Sequence, residues 1–599
     1  MIFKRIHRVF STNLKLNLIF LYILMIIAAG IELLSLGSIP LFVNHLISNN
    51  TSISVFNLNL EDYLNFIPLD NVNLKFATLI FLLFFFKFLF MIFISFYELK
   101  VIKQIRIFIS ENIYSAYIFR SYNFFLKKNS SELGRNVLTE IDNALLYLIS
   151  ILTLSREILL ITVIGTLIIY FDPYVSIIGI SIISIFVIIF FLLTDKILKN
   201  IAKKRIDLSG GIFKHVIETF AMIKEIKVYS KENFFINKFM NIRTSLEYFL
   251  FKRDLIIRLP KIVFEFLAVT LIVLLVTSFT VLEIDSVQLL TLLSLIAVAV
   301  IRLLPAFNQI SIALTHFSSV KNVFMMLTDD MEQYFNQKKR EKNQVETNQK
   351  ILSDNNTEIL FDNVDFYYDE NHNIGVKNLS LKIKKGEMIG IIGKSGSGKS
   401  TFANILLRLL KNQKGEVKFS NENLSCAYVP QDIFLMDASL RDNIVIGEDK
   451  RKIDIKKLNN VIEKCELDEF IAKHEKGIDL VLGERGIRIS GGEKQRIGLA
   501  RAFYSEKKII ILDEATSALD NQTEFAIMKS ILKFKKEMTI ILIAHRLSTL
   551  EYCDRVILFE NGSIKDQGKL NELLNKYPYL EHESHKSKLK KNDQTESEN

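Results

Sequence analysis

Apolar residues crowd the first half of the chain into six runs, at 17–46, 74–97, 148–171, 173–194, 260–281 and 286–308. Each is long enough to cross about 30 Å of hydrocarbon as a helix. The longer ones predict tilt or extension into water. The first run exceeds a signal-peptide core, and no small-residue cleavage site precedes the second, so it reads as a retained span. Charge alternates between the runs. The N-terminus (Lys4, Arg5, Arg8, Lys15), segment 98–147 and segment 195–259 are rich in Lys and Arg; segment 47–73, the Phe171-Asp172-Pro173 turn and the stretch around Glu283 and Asp285 contain neither. Basic connections stay in the cytoplasm, which predicts a multi-pass protein of the cytoplasmic (inner) membrane with both termini inside.

The two long basic connections lack clusters of Gly and Pro. They predict helical hairpins reaching about 35 Å into the cytosol at 1.5 Å per residue, with tips near 121–130 and 215–227. Segment 51–70 alternates apolar and polar positions and predicts a short helix on the outer membrane surface. Beyond the sixth run, residues 328–357 are rich in Lys, Gln, Asn and Glu and predict a flexible linker. Residues 358–581 alternate short apolar runs with amphipathic segments, the pattern of an α/β domain. Residues 582–599 are charged, without apolar anchors, and predict a disordered tail. The expected organisation is therefore a six-helix transmembrane domain at 1–327 joined to one cytoplasmic α/β domain, with no internal repeat.

Composition sharpens this division. Half of the 599 residues are hydrophobic and the mean hydropathy is +0.26, too apolar for a soluble protein and too polar for one lying wholly in lipid. The net charge of +10 is spent largely on the flanks of apolar runs, which argues against nucleic acid as a partner. Cys426, Cys465 and Cys553 have no metal-ligand spacing and read as reduced, buried thiols.

The second half carries the chemistry. GKSGSGKST (Gly393, Lys394, Ser395, Gly396, Ser397, Gly398, Lys399, Ser400, Thr401) follows the apolar stretch Met388–Ile392 and opens a helix-forming stretch. Strand, glycine-rich loop and helix together make a phosphate cradle of backbone N–H groups. Lys399 would meet the β and γ phosphates of a nucleotide, and the Ser400 hydroxyl would ligate Mg²⁺. KKIIILDEATSALD, at 507–520, ends an apolar run in Asp513-Glu514. A carboxylate just past a buried strand can reach Mg²⁺ or its water shell, and a second can orient or deprotonate the attacking water. Asp513 is assigned to the metal and Glu514 to the water.

With these two, five further segments resemble the motifs of ATP-binding-cassette (ABC) transporters of the exporter type. ISGGEKQR (489–496) resembles the signature sequence, YVPQD (428–432) the Q-loop, SALD (517–520) the D-loop, IAHRLST (543–549) the switch region and LGERG (482–486) the exporter X-loop. The resemblance implies a P-loop ATP-binding cassette acting as a homodimer of half-transporters. Tyr368 would stack on adenine, Gln431 would serve metal and water, and His545 and Asp520 would complete the site. Ser490, Gly491, Gly492 and Glu493 would meet the γ-phosphate of ATP held by the partner copy's 393–401 loop. Closure on ATP would turn the membrane cavity outward, and hydrolysis would reset it. Three departures stand out, the first a conservative one, Ile489 in place of the signature's usual Leu. Glu493 replaces the family's usual Gln, and only 32 positions separate Lys399 from Gln431, fewer than is usual, as though part of a hairpin and the following helix were missing.

Charges inside the apolar runs are costly, about 2.5–3.5 kcal/mol each on insertion scales, and mark function or pairing. They include Glu32, Lys87, Arg156, Glu157, Lys261, Glu265 and Arg302. Neither Lys87 nor Arg302 has an acid one helical turn away, so each needs a partner from another helix or from cargo. IRLLPAFNQI (301–310) resembles the corresponding part of the lipid-linked-oligosaccharide flippases of the PglK type, and Lys87, Lys261 and Arg302 fall where those line their cavity with basic residues. That resemblance implies a pyrophosphate-linked glycolipid as cargo. Another lipid, a drug or a peptide is the alternative, although no peptidase domain precedes the first run. A cassette ATPase working on nucleic acid, usually soluble with two cassettes, and an importer, usually built from separate chains, fit less well.

Overall fold

The computed structural model describes residues 2–48, 54–55, 58–59, 71–171, 173–281, 286–343, 356–368, 375–421, 425–483, 489–515, 521–535, 537–544 and 546–580. The chain divides into two compact units, one of residues 1–120 with 124–345 and the other of 121–123 with 346–599.

The first unit is helical. Its long helices are Thr12–Ser48, Val72–Ile118, Glu140–Phe171, Pro173–Ala221, Glu232–Val281 and Ser286–Asn343, and each apolar run of the sequence lies inside one of them. Among the described residues, four stretches are long and apolar enough to cross a membrane: Thr12–Val43, Val72–Ile118, Glu140–Ile169 and Val300–Arg340. The side chains of the helices holding runs 173–194 and 260–281 are only partly described. Asn71 caps the second long helix, its side chain accepting from the Asn73 N–H at 3.0 Å, and Pro173 opens the fourth, where a helix N–H has no intrahelical partner to lose. Between the paired helices stand the short helices Tyr122–Lys127 and Ile223–Val228, at the hairpin tips read from the sequence. In the unit's core the wholly buried Tyr147 stacks against Phe317 and Phe324, with ring centroids 4.9 Å away in both cases.

Two segments differ from expectation. The last long helix runs on to Asn343, through the first half of the predicted linker. Lys, Gln, Glu and Arg are good helix formers, and this extension is anchored. Leu327 and Met331 are buried, Arg5 pairs with Asp329, Arg8 with Glu332 at 3.1 Å and Arg120 with Asp330 at 3.3 Å. In segment 51–70, strand β1 (Ser54–Val55) pairs antiparallel with β2 (Leu58–Asn59) where a helix was expected. The rest of that segment, like the tail at 582–599, lies outside the described residues.

The second unit is α/β. A six-stranded sheet has the order β11 (Ser563–Gly568), β10 (Arg555–Glu560), β5 (Met388–Ile392), β9 (Thr539–Ile543), β8 (Ile509–Asp513), β7 (Cys426–Val429), parallel except for β11. An antiparallel sheet of β4 (Gly375–Lys384), β3 (Thr357–Tyr367) and β6 (Lys414–Phe419) accompanies it. The unbroken isoleucine runs follow from burial on both faces of a parallel sheet. Ile509, Ile511, Ile541 and Ile543 pack on one side with Phe361 and Phe402; Ile510, Leu512, Ile540 and Leu542 pack on the other with Leu499 and Phe503. All three cysteines are free thiols. Burial pushes each up to about 12, so they stay protonated and inert near neutral pH.

Candidate functional site

Four neighbouring parallel strands, β5, β9, β8 and β7, deliver the predicted chemistry at their C-terminal ends, the side of an open α/β sheet where ligands bind. The loop 393–398 follows β5, Asp513 and Glu514 close β8, Gln431 follows β7, and His545 follows the last described residues after β9. His545 and Asp520 lie outside the described residues, as do 484–488 of the X-loop.

Glycines set the loop's shape, Gly396 with φ 80° among them. A Cβ on Gly393 would stand 2.3 Å from the Phe559 carbonyl oxygen, so no side chain fits there. Gly398 caps the helix Lys399–Leu406 with φ 104°, in the left-handed region that other residues avoid. Lys399 is buried, and its Nζ donates to the carbonyls of Gly393 at 2.7 Å and Lys394 at 3.1 Å. The ammonium therefore sits inside the curl of the loop. Burial lowers its pKa, while the Glu514 and Asp513 carboxylates oppose that shift. The Ser397 Oγ is buried without a hydrogen-bond partner among the described residues. Tyr368, exposed, meets Phe366 edge-on at 5.0 Å.

Around the acidic pair the structure adds what the sequence left open. Glu514 takes φ 51°, unusual for a residue with a side chain. Its N–H donates to the Ile543 carbonyl at 2.9 Å, and its Oε2 accepts from Gln431 Nε2 at 2.8 Å. Gln431 and Glu514 are thus brought together. The hydroxyl of Tyr428 donates to Asp513 Oδ2 at 3.1 Å, and burial, with Asp513 next, pushes the Tyr428 pKa up. Tyr428 escaped sequence reasoning although it lies in the quoted YVPQD. The usable signal was its alternation with buried Ala427 and Val429 in β7, which sets one polar tip beside β8. Ser400, Asp513 and Gln431 offer a hydroxyl, a carboxylate and an amide oxygen, hard donors suited to Mg²⁺.

Ser490 is the N-cap of the helix Gly491–Tyr504, in a capping box with Glu493. Its N–H and Oγ both donate to Glu493 Oε2, at 2.8 and 2.7 Å. The carboxylate that replaces the expected Gln is therefore tied to the helix start. One turn on, Gln495 Nε2 donates to the Gln431 carbonyl at 3.2 Å, joining this helix to the Q-loop.

In the helical unit, Lys87 and Arg302 converge on one acid. Glu32 is 3% exposed; its Oε2 lies 2.9 Å from Lys87 Nζ and accepts from Arg302 Nη2 at 3.2 Å, while its Oε1 accepts from Arg302 Nε. The three residues come from three helices. The two bases thus have an internal partner, which sequence separation hid. Lys261 does not join them; it faces Glu265, one turn on, at 3.8 Å, and both are more than half exposed. Arg156 pairs with Glu157 at 2.9 Å and Glu98 at 3.4 Å.

Comparison with known proteins adds the following. The family model described as ABC transporter matches residues 376–517, and that described as ABC transporter transmembrane region matches 11–303. The chain is 38% identical over 226 residues to an ATP-dependent lipid A-core flippase of Pasteurella multocida, covering 36% of this chain and 39% of that protein. It is 38% identical over 244 residues to an alpha-hemolysin translocation ATP-binding protein of Proteus vulgaris, covering 39% and 34%. These alignments span little more than a third of the curated relatives' length. A solved structure of a bacterial Atm1-family ABC exporter with ATP bound superposes with a TM-score of 0.74 at 20% identity, covering 96% of this chain and 99% of that one, a likeness of fold.

Proposed function

This chain belongs to the ABC transporters, with a transmembrane and an ATP-binding domain, and from that premise we propose that it hydrolyses ATP to move an anionic lipid out of the cytoplasmic leaflet. The favoured cargo is a pyrophosphate-linked oligosaccharide or glycolipid. Two copies would form the working unit in the cytoplasmic membrane, with both termini and the ATP-binding domains inside.

The observation that carries the ATPase is the convergence of Lys399, Asp513, Glu514 and Gln431 at the ends of adjacent strands. Lys399 and the loop N–H groups hold the β and γ phosphates. Ser400, Asp513 and Gln431 would hold Mg²⁺, which supplies charge neutralisation on the phosphates. Glu514, fixed by Gln431, accepts the proton of the attacking water. Tyr368 would offer its ring to adenine, and the family resemblance assigns His545 and Asp520, outside the described residues, to ATP sites. Tyr428 orients Asp513. Tyr428→Phe should therefore lower ATP turnover about tenfold, the scale of one hydrogen bond to a charged group, with little change in ATP affinity. Steady-state phosphate release beside nucleotide titration checks this.

The cargo assignment is supported by Lys87 and Arg302, two bases sharing one acid inside apolar helices. That leaves a surplus of positive charge where lipid headgroups would pass, and phosphate oxygens suit both cations. Lys261 does not share Glu32; it lies 3.8 Å from Glu265. The relative named as a lipid A-core flippase is consistent with a lipid cargo; the relative named for hemolysin translocation favours a peptide as the second reading. Flipping in proteoliposomes decides. Lys87→Gln and Arg302→Gln should each reduce transport of a pyrophosphate-linked lipid at least several-fold and spare a neutral one. Removing both bases alone would strand Glu32, so the full neutralisation is Glu32→Gln with Lys87→Gln and Arg302→Gln. Undiminished pyrophosphate-lipid flipping in that triple variant would remove this cargo.

A further inference from the structure

We propose that Glu32 is an internal competitor for the anionic headgroup, and so sets which lipids the two bases accept. The proposal rests on the cargo reading above. The carboxylate bridges Lys87 and Arg302, one oxygen shared between them and the other on the guanidinium, as a phosphoryl group would. Exposure is graded: the side chains of Arg302, Lys87 and Glu32 are 34%, 14% and 3% exposed. The two bases are thus the more accessible members of the cluster, and the acid the least. Lys87 also lies 5.1 Å from the centre of the Phe84 ring, a contact that holds its ammonium without using up its charge.

This arrangement answers a physical problem. Two cations without counter-charge are costly among apolar helices, and Glu32 covers them when no lipid is bound. It must also be displaced. A headgroup with one negative charge merely exchanges one anion for another and leaves Glu32 buried without cations. A diphosphate presents a phosphoryl group to each base and can outbid a single carboxylate. Glu32 therefore weakens anion binding in general and discriminates against singly charged headgroups in particular.

The test uses the full chain in phosphatidylcholine nanodiscs. The probes are geranylgeranyl diphosphate, geranylgeraniol as the neutral lipid with the same tail, phosphatidylglycerol as the singly charged lipid, and inorganic pyrophosphate. Glu32→Gln should tighten geranylgeranyl diphosphate binding about tenfold or more, the scale of one charge-assisted hydrogen bond. It should tighten phosphatidylglycerol by a larger factor, so that the preference between the two narrows, and leave geranylgeraniol unchanged. Adding Lys87→Gln and Arg302→Gln should abolish the gain. Glu32→Asp keeps the charge but cannot span both bases; its affinities should fall between the two, and it supplies the test if Glu32→Gln does not assemble. Unchanged or weaker diphosphate binding in both variants, with binding still dependent on Lys87 and Arg302, overturns the competition and leaves the cargo reading standing. Equal binding of diphosphate and alcohol in every variant overturns both. If inorganic pyrophosphate gains as much as the lipid, the site serves a free anion and the lipid assignment is overturned.

Discussion

Glu514→Gln should leave ATP binding intact and lower phosphate release by at least ~10²-fold, the low end for loss of a general base. The backbone holds residue 514 in a left-handed conformation, φ 51°, its N–H on the Ile543 carbonyl. That geometry does not depend on the carboxylate. The glutamine keeps an oxygen able to accept from Gln431 Nε2, as Glu514 Oε2 does now at 2.8 Å, so shape and hydrogen bonding survive and only the proton acceptor is lost. Lys399→Ala acts on the other half of the site. It removes the ammonium lodged in the 393–398 curl and should weaken nucleotide binding itself. Nucleotide titration and single-turnover phosphate release on the purified variants separate the two effects. Near-normal release from Glu514→Gln would end the assignment of this residue to the attacking water.

Much of this site is legible in the sequence. The glycine-rich loop, the acidic pair and the Q-loop glutamine announce themselves because each requires particular residue types next to a buried strand, and isoleucine runs such as 509–511 mark those strands. The six long helices were legible for a similar reason, since lipid demands unbroken apolar length. What stayed hidden were relations between distant positions. Nothing near Lys87 or Arg302 in sequence points to Glu32, because the pairing runs between helices and a helix periodicity reports only its own face. Tyr428 carried no assignment in the sequence, because its contact with Asp513 depends on β7 lying beside β8. The helical extension to Asn343 was hidden because polarity suggested a linker, whereas its order comes from burial of Leu327 and Met331 and from ion pairs to Arg5, Arg8 and Arg120. Glu493 stands where the family usually has Gln, and the capping box gives its charge a local use.

The same capping box leads to the second large effect, on composite sites. Ser490 stands at the N-terminus of a 14-residue helix, where backbone N–H groups and the helix dipole favour an anion. If that anion is the γ-phosphate of ATP on the partner copy's Lys399, lesions at the two positions must add by site, not by chain. A mixed dimer with Lys399→Ala in one copy and Ser490→Arg in the other places both lesions on one ATP and leaves the second site whole. The same two changes in one copy, paired with an unaltered copy, damage both sites. The first arrangement should retain a substantial part of the ATP turnover, and the second should fall well below it. Both dimers carry identical substitutions in identical number, so loss of the Ser490 cap, worth about 1 kcal/mol, weighs on them equally and cannot produce a difference. Differently tagged copies, purified over both tags and assayed for phosphate release, give the comparison. Equal residual activity in the two arrangements would mean that each chain works on its own ATP, and the paired reading of Ser490 and Lys399 would have to be abandoned.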